Sequence, residues 1–383
     1  MNWVWFAFAY TLCISAVCYQ GLALWALWRW NRRPPPPAVG TAPVSLLKPL
    51  FGAEPHLYEN LRSFFEQDHP QFHLVFGVGS NDDPALAVVR RLQEEFPNLD
   101  VAVAVAPPNG SGNHKVANLM NMLPLARYDR LVIADSDIHV GRDYLRVVTA
   151  PLDDPSTGVV TCLYLGRALP GLWSRLEALL INDWFLPAVL VSHVLGSRVF
   201  ASGATLALRR DVLEAIGGLG VLGDELADDY RLAERARRAG FDTVLSPYRV
   251  ETLAHAPNLR SLFRHELRWA RTIKAIQPVG YAFSVLSYSL PLAVLGAFCT
   301  GFSSAGLALL ATTACLRLAL HYAVAGKPEG EHLLEPTLIA ARDVLSLLVW
   351  CTAYFGCTVW WQGRLLTVHR GGLVREYTGR RTG

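Results

Sequence analysis

Four groups of residues in the middle of the chain have the types and spacing to do chemistry. Asp135-Ser136-Asp137 sets two carboxylates two residues apart, directly after the apolar run Leu131-Val132-Ile133-Ala134. Such a pair can converge on one hard cation with all-oxygen ligands, magnesium or manganese, and that cation can neutralise a phosphorylated leaving group. A lone DxD is common in solvated turns, so its place after an apolar strand is what gives this one weight. Asp228-Asp229-Tyr230 opens a helical pattern. Acidic residues in a first turn are ordinary partners of the helix dipole, but a carboxylate facing an incoming hydroxyl can also take its proton. His265-Glu266-Leu267-Arg268-Trp269 follows, with Arg264, Arg268 and Arg271 at helical spacing. That stripe suits lipid headgroups; in the sharper reading Arg268 grips a diphosphate and Trp269 forms a packing wall beside it. Lys115, at the start of a helix, is a second diphosphate candidate.

These groups need a scaffold, and alternating strands and helices supply one. Apolar strands are predicted at residues 44–47, 72–78, 101–105 and 130–134, with helices at 56–65, 84–96 and 115–126 between them. That order predicts an α/β fold built on a mostly parallel, nucleotide-binding sheet. Ligands of such sheets bind at the carboxyl ends of the strands. Asn81, Asp82 and Asp83 follow the second strand and Asp135-Ser136-Asp137 the fourth, which is where ligand contacts belong. Further on, residues 173–195 read as an apolar helix, 199–208 as a strand, 211–216 as a short helix and 227–239 as a helix. No internal repeat is present.

The 383 residues are 52% hydrophobic and 17% charged, against about 25% charged in a soluble domain. The apolar excess sits at the two ends. Residues 3–27 carry no charge and are long enough to cross about 30 Å of hydrocarbon. The run is too long for a signal peptide and lacks a basic start and a small-residue cleavage site. Trp25, Trp28 and Trp30 mark an interface, and Arg29, Arg32 and Arg33 place the following side in the cytoplasm. Residues 34–42 form a Pro-rich spacer. Residues 281–322 allow two spans with a turn at 301–304, and a polar loop covers 327–335. The apolar stretch 337–361 holds Arg342 and Asp343, which predicts an interfacial or re-entrant helix with those charges paired or near water. The basic tail (Arg364, Arg370, Arg375, Arg380, Arg381) again reads as cytosolic. The expected organisation is an anchor at 1–33, the spacer at 34–42, a cytosolic domain at 43–278, a membrane region at 279–362 and a tail at 363–383. A multi-pass inner-membrane protein is therefore expected. Only Cys162 of the seven cysteines lies in the middle domain, and no CxxC pair occurs, which fits a reducing compartment. A net charge of +3, without a basic run interleaved with aromatics, excludes nucleic acid as a partner.

Taken together and in this order, Asp82-Asp83, Asp135-x-Asp137, Asp228-Asp229-Tyr230 and Arg268-Trp269 resemble the family 2 glycosyltransferases with a GT-A fold. More narrowly, the chain resembles the ceramide glucosyltransferase branch, family 21. The segments that carry this are Val44-Ser-Leu-Leu-Lys-Pro-Leu50, Asn81-Asp-Asp-Pro-Ala85, Lys115-Val-Ala-Asn-Leu119, Gly203 to Leu213 with Gly217-Gly218, and Val359-Trp-Trp-Gln-Gly-Arg364. The resemblance implies a GT-A domain flanked by transmembrane helices, a UDP-sugar donor, a lipid acceptor in the bilayer and a Mg2+ or Mn2+ cofactor. It implies that Asp82 or Asp83 meets the uracil and ribose and that Asp135 and Asp137 hold donor and metal. Asp229 would be the base beside Asp228, Arg268 and Trp269 would close over the diphosphate, and the product would be β-linked. One position departs from the pattern: the last motif usually opens with Gln or Arg, and here His265 stands there. The bacterial hopanoid biosynthesis glycosyltransferases are similar in layout, and a hopanoid polyol is slightly preferred over ceramide as acceptor.

Other functions fit less well. A processive polysaccharide synthase needs more spans for its polymer channel, and a polyprenyl-phosphate sugar transferase needs an acceptor phosphate. A membrane scaffold without catalysis would have shed some of the acidic residues, and all are present.

Overall fold

The computed structural model describes residues 3–33, 40–108, 112–198, 201–325 and 335–377. The prolines of the spacer, most of the polar loop at 327–335, and Arg380 and Arg381 lie outside the described residues.

After the first helix, α1 (Trp3–Asn31), the chain lays down β1 (Val44–Pro49), α2 (Leu57–Phe65), β2 (Phe72–Val78), α3 (Ala85–Glu95), β3 (Val101–Val105), α4 (His114–Met122) and β4 (Arg130–Ile133). The first four strands pair in parallel in the order β3-β2-β1-β4. Their side chains alternate between two faces, as strand geometry requires. Leu46, Leu74, Phe76 and Val132 pack against α2 and α3 in one core, while Leu47, Val75, Leu131 and Ile133 pack against α4 in another. Both faces of the sheet are thus covered by helices, which is why these strands read as near-continuous apolar runs.

The second half is more intricate than the sequence suggested. β5 (Ile138–His139) and α5 (Tyr144–Thr149) lead into β6 (Thr157–Ala168), then α6 (Leu172–Leu180), a π-helical turn at Ile181–Phe185, and α7 (Leu186–Val194). β7 (Leu206–Arg209), α8 (Arg210–Ala215), α9 (Asp228–Arg238) and β8 (Asp242–Ala254) complete an eight-stranded sheet, ordered β3-β2-β1-β4-β7-β6-β8-β5. β7 runs antiparallel to both β4 and β6, and β8 is parallel to β6. Of the strand expected at 199–208, residues 199 and 200 lie outside the described residues, and the strand found is Leu206–Arg209. Before it, Ser202 and Thr205 form an isolated bridge around a tight turn at Gly203.

α10 (Leu259–Ile276) then leads to α11 (Pro278–Phe283), α12 (Ser289–Cys299), α13 (Ser304–Ala325) and α14 (Glu335–Thr352). Among the described residues, three helices are long and apolar enough to cross a membrane: Val4–Asn31, Leu172–Val194 and Ser304–Val324. The pair Pro278–Ser287 and Ser289–Cys299 would be a fourth only if one span can bend by 67°. The region 281–322, where two spans were expected, holds most of this bent pair and α13. The break between them falls at Gly301 and Phe302, both with positive φ. α1 seats on α12 by close approach: a Cβ on Gly296 would fall 2.2 Å from Cys13 Sγ, and Gln20 Nε2 donates to Ser289 Oγ at 2.6 Å.

The apolar stretch expected to be helical through 361 ends its helix at Thr352. Residues beyond it form a small antiparallel sheet of β9 (Thr358–Trp361), β10 (Arg364–Val368) and β11 (Val374–Glu376). Gln362 and Gly363, both at positive φ, make the two-residue turn that joins β9 to β10. The hairpin straddles the boundary expected at 362/363.

Candidate active site

The site forms at the carboxyl ends of β1, β2 and β4. Ala134 N donates to Leu47 O at 3.2 Å and continues the pairing just beyond β4. The chain then turns through Asp135-Ser136-Asp137 into β5. Beneath this turn lies Lys48, fully buried, with Nζ donating to Asp135 O at 2.6 Å and 3.7 Å from the centroid of the Phe64 ring. Burial pulls the Lys48 ammonium down to about 7, against the opposing pull of Asp137 and Asp135. Asp137 Oδ2 accepts from Thr252 Oγ1 of β8 at 2.8 Å. Its pKa is raised by burial and then by Asp135.

α4 and α9 meet over the same turn. Asn113 caps α4 by accepting from Val116 N at 3.1 Å, and its Nδ2 donates to Glu225 O at 2.8 Å and Asp228 Oδ1 at 3.2 Å. One asparagine thereby starts one helix and ties it to the start of the other. Lys115 Nζ stands 2.6 Å from Asp135 Oδ1 and 3.6 Å from Asp228 Oδ2. Burial works against its charge, but Asp135, Asp228 and Asp229 outweigh it and hold the pKa above the ordinary lysine value. Asp229 accepts from Gly203 N (2.8 Å, Oδ2) and from Tyr230 N (2.7 Å, Oδ1). Burial, then repulsion by Asp228, pushes its pKa up to about 6 despite Lys115 and the two amides. That is a range suited to a general base near neutral pH. Gly203 is required for the close approach, since a Cβ there would fall 2.7 Å from Asp135 Oδ2 and 2.8 Å from Lys115 Nζ.

α10 brings up the last group. Asn258 caps it, accepting from Ser261 N at 2.9 Å. Arg268 has no ion-pair partner among the described residues, although Asp135, Asp229 and Asp228 all act on its charge. Trp269 packs against Phe185 of the π turn, 5.7 Å between ring centroids, and Phe185 against Tyr164 of β6 at 4.9 Å. His265 is committed elsewhere: its Nδ1 lies 2.6 Å from Glu177 Oε1 of α6, and its ring meets Trp269 edge-on at 5.1 Å. The two aspartates after β2 divide as well. Asp83 accepts from Gly52 N at 3.1 Å and from Ala85 N at 2.9 Å, fixing the loop and the start of α3. Asp82 is exposed.

Among the described residues no group of three His, Cys, Asp or Glu is arranged as a closed metal site. Asp135 and Asp137 nonetheless suit a hard divalent cation. Both are oxygen donors, and Asp137 is held with its charge penalised, a penalty that a cation between the two would reverse. Glu54 adds a third carboxylate nearby, hydrogen-bonded to Ser136 and pushed up to about 7 by burial, with a buried Oε2 that has no partner. An open site of this kind leaves coordination positions for phosphate and water oxygens.

The profile of glycosyl transferase family 21 matches residues 8–374. The chain belongs to that family. Among curated proteins, this family 21 chain is 28% identical over 236 residues to ceramide glucosyltransferase 1 of Caenorhabditis elegans, covering 61% of this chain and 50% of that one. It is 32% identical over 111 residues to the ceramide glucosyltransferase of Komagataella phaffii, covering 28% of this chain and 21% of that one. The chain spans about half the length of the first of these relatives, and less of the second. Its fold matches that of the mannosyltransferase PcManGT from Pyrobaculum calidifontis in complex with GDP-Man and Mn2+, with a TM-score of 0.59 and 21% identity over 92% of this chain and 99% of that one. The family 21 chain thus has the expected GT-A fold.

Four of its site residues were not singled out from the sequence by role: Lys48, Glu54, Asn113 and Tyr164. Lys48 could have been found, because a lysine inside an apolar strand is rarely buried without a partner. Tyr164 could not, because it lies on β6, which the sequence reading did not identify as a strand.

Proposed function

We propose that the chain transfers a hexose, glucose or N-acetylglucosamine, from a UDP-sugar to the hydroxyl of a membrane lipid, with inversion at the anomeric carbon. One observation carries the reading. Lys115, Asp135, Asp228 and Asp229 converge on one end of the sheet, and Arg268, a cation without a partner among the described residues, acts on the same carboxylates. A cation left free beside carboxylates suits an anionic ligand that binds between them.

The donor diphosphate sits against Arg268 and Lys115, with Trp269 as a wall and Asp82 at the uracil and ribose end. Asp135 and Asp137 would hold Mg2+ or Mn2+, which when bound neutralises charge on the departing diphosphate. Asp229, ionised, takes the proton of the acceptor hydroxyl as its oxygen bonds to the anomeric carbon. The bond from that carbon to the phosphate oxygen breaks on the opposite face, UDP leaves with the bonding pair, and the product is β-linked. The amides of Gly203 and Tyr230 hold the base in place, and the neighbouring Asp228 raises its pKa. Catalysis occurs on the cytosolic side, a reading supported by Arg29, Arg32 and Arg33 at the end of α1, and the acceptor arrives from the bilayer. Of the two acceptors expected, ceramide has the support of the relatives' names; the hopanoid polyol rests on layout alone.

The test is a product assay with purified protein. Labelled UDP-glucose and UDP-N-acetylglucosamine are each offered with ceramide, diacylglycerol or bacteriohopanetetrol, with Asp229→Asn as control. A labelled lipid that disappears with the substitution is the expected result and names both substrates. A soluble polymer, or an acid-labile polyprenyl product, would replace this reading with one of its rivals.

A further inference from the structure

At the end of α1, one helix face carries Trp25, Trp28, Arg29 and Arg32, spaced three and four residues apart so that they neighbour one another. Arg29 lies over the Trp25 ring at 5.6 Å and Arg32 over the Trp28 ring at 4.2 Å, so stacking holds both guanidinium groups against the helix. Next to them a groove of 590 Å³ opens between α1 and α13, walled by Leu24, Leu27 and Ala323 and by the two tryptophans, with Arg32 at its polar end. That volume lies within the range of about 300–1,000 Å³ typical of small-molecule sites. Around the same helix end, Arg33 Nη2 is 2.7 Å from His193 Nε2, and Arg198 Nη1 donates to His193 O at 3.0 Å.

Among the described residues the charged groups at this helix end, Arg29, Arg32, Arg33 and Arg198, are all of one sign. Among the described residues no carboxylate pairs with Arg29, Arg32, Arg33 or Arg198. Burial and repulsion by Arg198 and Arg29 lower the pKa of Arg33. An apolar groove that ends at Arg32, with Arg29 one turn away and neither arginine paired with a carboxylate among the described residues, is complementary to one kind of molecule, a chain of hydrocarbon with a negative head. We propose that this groove binds one anionic phospholipid, with an acyl chain along Leu24, Leu27 and Ala323 and its phosphate on Arg29 and Arg32. The site lies at the end of α1 and does not involve the proposed catalytic residues.

Native mass spectrometry of the full chain, released from detergent with phosphatidylglycerol or phosphatidylcholine added at equal concentration, tests this. Retained phosphatidylglycerol should exceed phosphatidylcholine by about 25-fold, at about fivefold for each of the two arginines. The Arg29→Gln/Arg32→Gln double variant should abolish the preference. Ala323→Trp, at an exposed position that fills the groove, should remove both lipids. Arg91→Gln, on the exposed face of α3, should change nothing. Three results would each overturn the proposal: equal retention of the two lipids, a preference that survives loss of both arginines, or displacement of phosphatidylglycerol by inorganic phosphate as readily as by added phosphatidylglycerol.

Discussion

Two clusters of buried charge lie along the path from the sheet into the helices, and they are built in opposite ways. Among the helices, acid meets base. Arg317 Nη1 donates to Asp183 at 3.0 Å and its Nη2 to Asp343 at 2.9 Å, and His321 Nδ1 lies 2.9 Å from Asp183. Arg342 grips both oxygens of Glu266 at 2.5 and 2.7 Å and reaches Ser346 Oγ at 3.1 Å. Both arginines are 2% exposed or less. At the sheet, by contrast, three aspartates, Asp135, Asp228 and Asp229, share Lys115, and Arg268 has no ion-pair partner among the described residues. Charge that is fully matched fixes position; charge left unmatched waits for a ligand. The two clusters are also joined. Glu266 sits two residues before Arg268 on α10, and Asp183 two residues before Phe185, which packs on Trp269. The matched cluster therefore anchors the helix that carries the unmatched arginine.

The sharpest way to break the contrast is to remove one charge from each side. Asp229→Asn should lower kcat by about 10²–10⁴, with the thermal unfolding midpoint within a few degrees of the parent; wild-type turnover would remove Asp229 from the mechanism. Arg342→Met should act the other way, destabilising by about 3–5 kcal/mol because Glu266 is left charged and alone. The double variant Arg342→Met/Glu266→Met should recover most of that stability in denaturation measurements. No recovery would mean that the pair does more than hold α10.

Chelation comes next. EDTA should stop transfer and magnesium or manganese restore it, and full activity in the chelator would free Asp135 and Asp137 from any metal role. Gly203→Ala should fold normally yet lose about tenfold or more in kcat/KM, because a small displacement of Asp135 and Lys115 is enough to spoil alignment. The smallest effect is on pH. With the Asp229 pKa near 6, kcat/KM should fall as pH drops through 6, since the base must be ionised. The same shift means that the folded chain holds this proton more tightly than the unfolded chain. The stability it contributes is present at low pH and lost as pH rises through 6. A rate independent of pH between 5 and 7 would contradict the assigned base.

Much of this was legible in the sequence for plain physical reasons. The apolar runs before Asn81-Asp82-Asp83 and Asp135-Ser136-Asp137 are strands covered on both faces, and the carboxyl ends of such strands are where ligands bind. Asp228 and Asp229 fall at a helix start, as the pattern indicated. β6 and β8 escaped because their contributions depend on pairing with each other over a dozen residues, a long-range fact that local composition does not carry. His265 illustrates a different limit. The sequence places it beside Arg268, but only the packing of α6 shows that Glu177 engages it. The small C-terminal sheet was hidden by its tryptophans and valines, which read as membrane-bound, although Gln362-Gly363 is a turn signal that could have revealed it.

That sheet has a consequence for how the molecule is made. Leu226 N donates to Gly372 O at 3.0 Å, Val374 N to Asp224 O at 2.8 Å, and Gly371 N to Ala275 O at 3.0 Å. The loop that leads into Asp228-Asp229 is therefore stitched to residues synthesised some 145 positions later, a delay on the order of ten seconds on a translating ribosome. Until α12, α13 and α14 have emerged, that loop lacks its final brace. A nascent chain would hold its acidic cluster unfinished until its last helices have packed, so that assembly of the helices and the completion of the site become one event.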